Sequence, residues 1–276
     1  MAGRRLIAIE SAEDPRIAEF RDIRERDLIG RQSRFIAEGT VVLRVLAAAQ
    51  ERGRGFAAEK ILLLKNRVEG VGDVLDAFPA EVPVYVAEAN VLDGIVGFNL
   101  HRGVLALGCR SEEGGLEGLV GSLPERSLVL VGSGISNHDN VGSMFRNAAA
   151  FGADALLLDA TCCDPLYRKA LRVSVGSVLT VPYHRGGSAM ELLGVLASHG
   201  FAIWSLSPRG EADIRKLPVS DRMALVVGTE GDGLPEAILS AFGSARIPQS
   251  PGLDSLNVAT ATGIALFAMS SAMGKT

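Results

Sequence analysis

The amino-acid sequence predicts an α/β protein whose C-terminal half is a mostly parallel sheet with helices on both faces. From Leu128 onward, apolar runs at Leu128–Val131, Ala155–Leu158, Val178–Val181, Phe201–Leu206 and Ala224–Val227 alternate with helical segments. Their near-continuous Val, Leu and Ala content is that of strands buried on both faces, the habit of parallel sheets. Gly152, Gly176 and Gly200 stand where the intervening helices need a left-handed cap.

A smaller α/β unit precedes this half. Asp14 to Arg26 reads as a charged amphipathic helix, Phe35 to Gly39 as a short strand, and Thr40 to Gln50 as a helix closed near Gly53. The strands Ile61–Leu64 and Val84–Val86 flank a helix around Val71 to Phe78, and Gly103–Leu107 is the last strand. The glycine-rich stretch that follows reads as a linker or a weakly structured connector. The expected division is therefore 1–109, a linker at 110–126, and 127–276.

Composition excludes several classes. A chain of 276 residues with 47% apolar and 22% charged content is globular and long enough for two domains. The first ten residues lack the apolar core of a signal peptide, so a cytoplasmic protein is expected. Cys109, Cys162 and Cys163 fit neither a disulfide framework nor a zinc motif and read as apolar fillers in a reducing compartment. His101, His138, His184 and His199 are scattered, so neither a metal cluster nor a hydrolase triad has support. Ser255 to Gly274 lacks charge but is too rich in Ser, Thr and Gly for a lipid-facing helix, so no membrane span is expected. A net charge of −4 argues against indiscriminate nucleic-acid binding while leaving room for a local basic patch.

Three segments carry candidate chemistry, and ligands in such sheets sit beyond the carboxyl ends of the strands. The first is Ser136 to Gly152, where Asp139 or Asn140 is expected to cap a helix that Gly152 ends. Val141, Met144, Phe145 and Ala148 share its core face, and Arg146 falls roughly 140° from Val141, away from that stripe. Spacing alone leaves Arg146 either a solvated arginine or a guanidinium aimed at a phosphate or hydroxyl. The second is Gly228 to Pro235, with Glu230 held among glycines that permit close backbone approach. It is either a plain strand-to-helix turn or a ligand loop, and it lacks the Gly-Lys-Ser/Thr of a phosphate loop. The third is Ile247 to Asn257, where Ser255 or Asn257 suits the cap of the last helix.

Together these segments resemble the SpoU/TrmH branch of the SPOUT RNA methyltransferases. The N-x-G-x-x-x-R pattern appears at Asn140–Arg146, G-x-E-G-x-G at Gly228–Gly233, and I-P-x…S-L-N at Ile247–Asn257. Asp164 to Gly176 is also similar to a segment common in that branch. The first domain resembles a ribosomal-protein-like substrate module more loosely, chiefly through Arg34 to Gly39.

The resemblance implies a deep trefoil knot in the sheet domain, S-adenosylmethionine as cofactor, and a homodimer whose interface completes the active site. It implies methylation of a ribose 2′-hydroxyl in structured RNA, either tRNA or rRNA; no metal is expected, because the sequence holds no ligand cluster. Arg146 would hold phosphate and stabilise the developing oxyanion, because a guanidinium is a poor base at neutral pH. Asn140, Glu230, Ser255 and Asn257 would order the pocket. Backbone groups at Gly228, Ile247, Gln249 and Leu256 would grip the cofactor. Pro251, where relatives often have glycine, and Ala259, where many have serine, depart from the pattern. An inactive RNA-binding protein of the same fold is the alternative; a nucleotide-binding oxidoreductase lacks its phosphate-gripping loop, since Gly132 to Asn137 misses the third glycine. Arg4, Arg5, Arg21, Arg24, Arg26, Arg31 and Arg34 form either an RNA-facing patch or a salt-bridged surface.

Overall fold

The computed structural model describes residues 4–21, 33–96, 103–111, 114–250, 252 and 254–276. The chain forms two compact units, Met1–Glu113 with Leu166–Thr180 and Gly114–Pro165 with Val181–Thr276.

In the first unit the elements run β1 (Leu6–Ile9), β2 (Arg34–Glu38), α1 (Thr40–Glu51), β3 (Phe56–Leu64), α2 (Gly72–Asp76), β4 (Val84–Ala87), α3 (Ala89–Val96) and β5 (Val104–Arg110). The sheet order is β1-β4-β3-β5-β2; β1, β4 and β3 are parallel, while β5 runs antiparallel to β3 and to β2. Val42, Leu43, Leu46 and Ala47 recur at helical spacing and bury the inner face of α1.

The helix expected at Asp14–Arg26 is, where described, a 3₁₀ turn over Pro15–Phe20 capped by Asp14. Residues 22–26 lie outside the described part. The N-terminal arginines divide in the same way. Arg4 donates to the carbonyls of Phe78, Pro79 and Val82 at 2.7–3.0 Å and to that of Leu75, so it staples the loop after α2 instead of facing a partner. Arg21 pairs with Glu13, and Arg34 with Glu59 at 2.8 Å. Arg5 is exposed, and Arg24, Arg26 and Arg31 fall outside the described residues.

The second unit begins with α4 (Gly115–Gly121), β6 (Ser127–Gly132), α5 (His138–Ala150) and β7 (Ala155–Leu158). The expected linker at 110–126 is thus partly helix. Val120 and Leu123 enter the core and Leu116 and Leu119 pack on it, an apolar stripe that the interspersed glycines had hidden.

Residues 166–180 follow, carrying α6 (Arg168–Val173), and they count with the first unit. The left-handed Gly176 lies against Val45 of α1, where an added Cβ would come within 3.0 Å of the valine Cβ. Arg168 and Arg172 approach the buried Glu38 of β2 at 3.7 and 3.9 Å. The strand expected at Val178–Val181 is therefore absent. Ser177–Leu179 is a 3₁₀ turn, and the strand starts beyond Pro182 as β8 (Tyr183–Arg185).

The chain continues through α7 (Ala189–Ser198), β9 (Ala202–Leu206), β10 (Ala212–Asp213), β11 (Arg222–Val227), α8 (Glu236–Ala241), β12 (Gly243–Arg246) and α9 (Val258–Ala272). Its sheet has the order β10-β12-β9-β11-β6-β7-β8, every neighbouring pair parallel. One face buries Val129, Val131, Leu157 and Val226 beneath Leu192, Leu193 and Leu196 of α7. Gly152, Gly176 and Gly200 all adopt positive φ, as their cap positions require. Strand order reverses between β6 and β11, whose ends are in register at Gly132 and Val227. Loops leaving such neighbouring strands in opposite directions open a crevice, and ligands of open parallel sheets bind there.

Among the described residues no helix is long and apolar enough to cross a membrane, and no group of three or more His, Cys, Asp or Glu is placed to hold a metal ion. Burial pushes the thiols of Cys162 and Cys163 up to about 12 and about 11, so both stay protonated at neutral pH.

Candidate active site

The crevice lies beyond the ends of three neighbouring strands. The loops after β9 (Leu206–Pro208), β11 (Val227–Gly231) and β12 (Ala245–Gln249), with Ser255, Leu256 and the first turns of α9, enclose about 720 Å³ free of protein atoms, open solvent included. Gly228, Ile247, Gln249 and Leu256, the expected cofactor residues, all line it.

The loop after β11 shows why glycine is needed there. Thr229 N–H donates to the Gly233 carbonyl at 3.2 Å, folding the segment back on itself. A Cβ on Gly228 would lie 2.4 Å from the carbonyl carbon and oxygen of Gly233. Two backbone segments touch with no room for a side chain between them.

At the rim three polar side chains meet. The Asn140 side-chain amide donates to Glu230 Oε1 at 2.9 Å, and Asn257 Nδ2 donates to the same oxygen at 2.7 Å and to Asn140 Oδ1 at 3.0 Å. Asn257 Oδ1 simultaneously accepts from the N–H groups of Ala259 and Thr260, capping α9. Residues from three separate segments are thereby locked into one orientation, with Asn140 5% exposed and Glu230 and Asn257 exposed. Glu230 does not cap the helix that follows its loop, whose N-cap position is Pro235. The helix cap of α5 also differs from expectation: Asn137, not Asp139 or Asn140, accepts from Asp139 N–H at 2.8 Å, which frees Asn140 for the network.

Asn257→Ala removes a helix cap and two amide donors together. It is expected to destabilise the protein by about 1–2 kcal/mol, read as a fall in the denaturant midpoint. An unchanged midpoint would count against the network.

Arg146 stands apart. The core face of α5 is buried as expected, with Val141, Met144, Phe145 and Ala148 at 0% exposure, and Arg146 points outward. It does not line the crevice of its own chain, and among the described residues no hydrogen bond or ion pair holds its guanidinium. Ser255 lines the crevice without a side-chain hydrogen bond among those residues. Ala259 sits in the first turn of α9, where its carbonyl accepts from Asn147 at 2.8 Å; Pro251 lies outside the described residues.

A second, more polar cleft of about 450 Å³ adjoins the first. It shares Thr229, Glu230 and Val258 with the crevice and adds Asn140 and the loop Gly134–Asn137. Sequence reasoning missed this loop's anchor, Asp159. A lone acid directly after an all-apolar strand was the available signal. Desolvation pushes its carboxyl up, but donation by Thr161, Ser133 and Gly134 outweighs that and leaves it below the usual carboxylate range.

Residues 127–267, just over half of the chain, match the model of a family described as the SpoU rRNA Methylase family. An uncharacterized tRNA/rRNA methyltransferase of Mycobacterium tuberculosis is 39% identical over 268 residues, covering 92% of this chain and 88% of that one. A 23S rRNA (guanosine-2′-O-)-methyltransferase of Xanthomonas campestris is 30% identical over 190 residues, 67% of this chain and 76% of that one. In fold, an AdoMet-bound rRNA methyltransferase from Sinorhizobium meliloti aligns over 97% of this chain and 98% of its own, with a TM-score of 0.81 at 23% identity.

Proposed function

Because the chain belongs to the SpoU rRNA methylase family, we propose that it is an S-adenosylmethionine-dependent methyltransferase that methylates a ribose 2′-hydroxyl in tRNA or rRNA. The observation that carries this reading is the Asn140–Glu230–Asn257 network joined through Glu230 to a crevice that Gly228, Ile247, Gln249 and Leu256 line.

The residues present fit the cofactor. Main-chain donors and acceptors of the loops after β9, β11 and β12 suit an adenosine and an amino-acid tail, and Gln249 Oε1 is buried without a hydrogen-bond partner beside them. When bound, the cofactor supplies a methyl group on a positively charged sulfur. The chain supplies everything else. Gly228, Ile247, Gln249 and Leu256 hold the donor, and the rim network with Ser255 fixes the orientation of the acceptor. Arg146 clamps the neighbouring phosphate and stabilises charge growing on the 2′-oxygen.

Since Arg146 does not line the crevice of its own chain, the reading has a second copy bring it there. The uncharged α9 exposes Ile264 by 40% and Phe267 by 55%, and Phe151 stacks edge-on against Phe267 at 5.8 Å. An apolar patch of this kind on a helix packed beside α5 suits a two-fold interface. The reading includes a trefoil knot in the segments bounding the crevice and assigns RNA recognition to the first unit. Phe267→Glu is expected to give monomers by light scattering and to lose methyl transfer with them. Active monomers would remove the shared-site arrangement.

The whole reading is tested by thermal shift and by RNA mapping. S-adenosylhomocysteine at about 100 times its dissociation constant should stabilise the protein by about 2.7 kcal/mol, and NAD should not. RNA from cells with and without the protein should differ at one or more 2′-O-methyl positions. Stabilisation by NAD alone, or identical methylation maps, would overturn it.

A further inference from the structure

Asp159 follows directly on β7 and is 5% exposed. Its carboxylate is fully engaged. Oδ2 accepts from Ser133 Oγ at 2.9 Å and from Gly134 N–H at 3.1 Å; Oδ1 accepts from Thr161 Oγ1 at 2.6 Å and from the N–H groups of Thr161 and Cys162 at 3.0 Å. With no lone pair left over for a proton in transit, it is not an acid or base of the reaction.

What it grips is the loop after β6. That loop is tied on its far side by Ser133 N–H to the Val227 carbonyl at 2.9 Å, and further along by Cys163 N–H to the Ile135 carbonyl at 2.8 Å. Gly134 rests against the loop after β11, where a Cβ would come within 2.6 Å of Thr229 Cγ2. Thr229 precedes Glu230. A short line of contacts therefore runs from the buried carboxylate through Gly134 and Thr229 to the rim network. The same loop forms one wall of the polar cleft that holds Asn140 and Glu230.

Burying a charge is costly unless it is fully hydrogen-bonded, and here every one of its donors comes from the loops after β6 and β7. An uncharged amide of the same shape would turn N–H groups toward donors. We infer that Asp159 is a positioning residue: it holds the 133–137 loop in the shape in which the polar cleft receives the ribose and phosphate of the acceptor RNA. This rests on the methyltransferase reading above.

The test compares Asp159→Asn with the wild-type protein, using radiolabelled S-adenosylmethionine and total RNA from cells lacking the gene. Asp159→Asn should lower the maximal rate about 10- to 100-fold and raise the RNA concentration for half-maximal rate, as a small misplacement of a reacting group does. Its dissociation constant for S-adenosylhomocysteine should stay within about twofold, because the donor crevice is walled by other loops. A merely structural role would weaken both together. If Asp159→Asn does not fold, Ser133→Ala, which leaves the carboxylate and removes one donor, should show the same split at about 3- to 10-fold. An unchanged rate, or parallel loss of donor binding and rate, overturns the inference alone. A wild-type protein that methylates none of this RNA overturns the functional reading and the inference with it.

Discussion

Arg146→Ala should abolish methyl transfer, with a loss of at least about 10²-fold, and leave the fold intact. The side chain is exposed and holds no internal partner among the described residues, so its removal should change stability by no more than about 0.5 kcal/mol. Donor affinity should also be kept, because Arg146 does not line the crevice. Arg146→Lys would keep the charge and lose the planar fork, and so should recover only a small part of the rate. The measurement is methyl incorporation into RNA beside a melting curve. A rate within threefold of wild type would dismiss the oxyanion and phosphate role.

Gly228→Ala should be among the most damaging single methyl groups in the second unit. Its Cβ would meet backbone, at 2.4 Å from the Gly233 carbonyl and 2.6 Å from Leu234 N, and backbone cannot swing aside as a side chain can. Relief requires opening the turn closed by Thr229 and Gly233, which carries Glu230 away from Asn140 and Asn257. A cost of about 1–3 kcal/mol is expected for such overpacking, together with loss of S-adenosylhomocysteine binding. Gly194→Ala is the control. It lies in α7, has open space around it and should be neutral or slightly stabilising, by up to about 1 kcal/mol. Equal melting and binding for the two variants would refute the tight-turn account.

Much of this architecture was legible in the chain because it is local. The strands at β6, β7, β9 and β11 are near-continuous apolar runs, and the left-handed caps are glycines at the ends of periodic segments. The polar residues at Asn140, Glu230 and Asn257 were legible as separate loops, and the structure brings them within 3.0 Å of one another.

What was hidden is non-local. β12, Gly-Ser-Ala-Arg, has no strand composition of its own and is held by pairing with β9 and β10 on its two sides. Asp159 shows its use only when the ends of β6 and β7 lie side by side. The separation of Arg146 from the crevice could not be inferred from helical phase, which tells where a side chain points relative to its own helix and nothing of what lies opposite.

The placement of residues 166–180 with the first unit has a practical side for anyone dissecting the protein. The polypeptide visits that unit twice, so cutting at the glycine-rich stretch near residue 114 does not release a self-sufficient C-terminal piece. Such a fragment would carry Leu171, Val178 and Leu179, all at most 1% exposed in the intact molecule, deprived of the surfaces that now shelter them. Truncation would yield a sticky, partly unfolded excursion in mid-sequence, and low solubility in that fragment would report on severed packing and say nothing about catalytic competence.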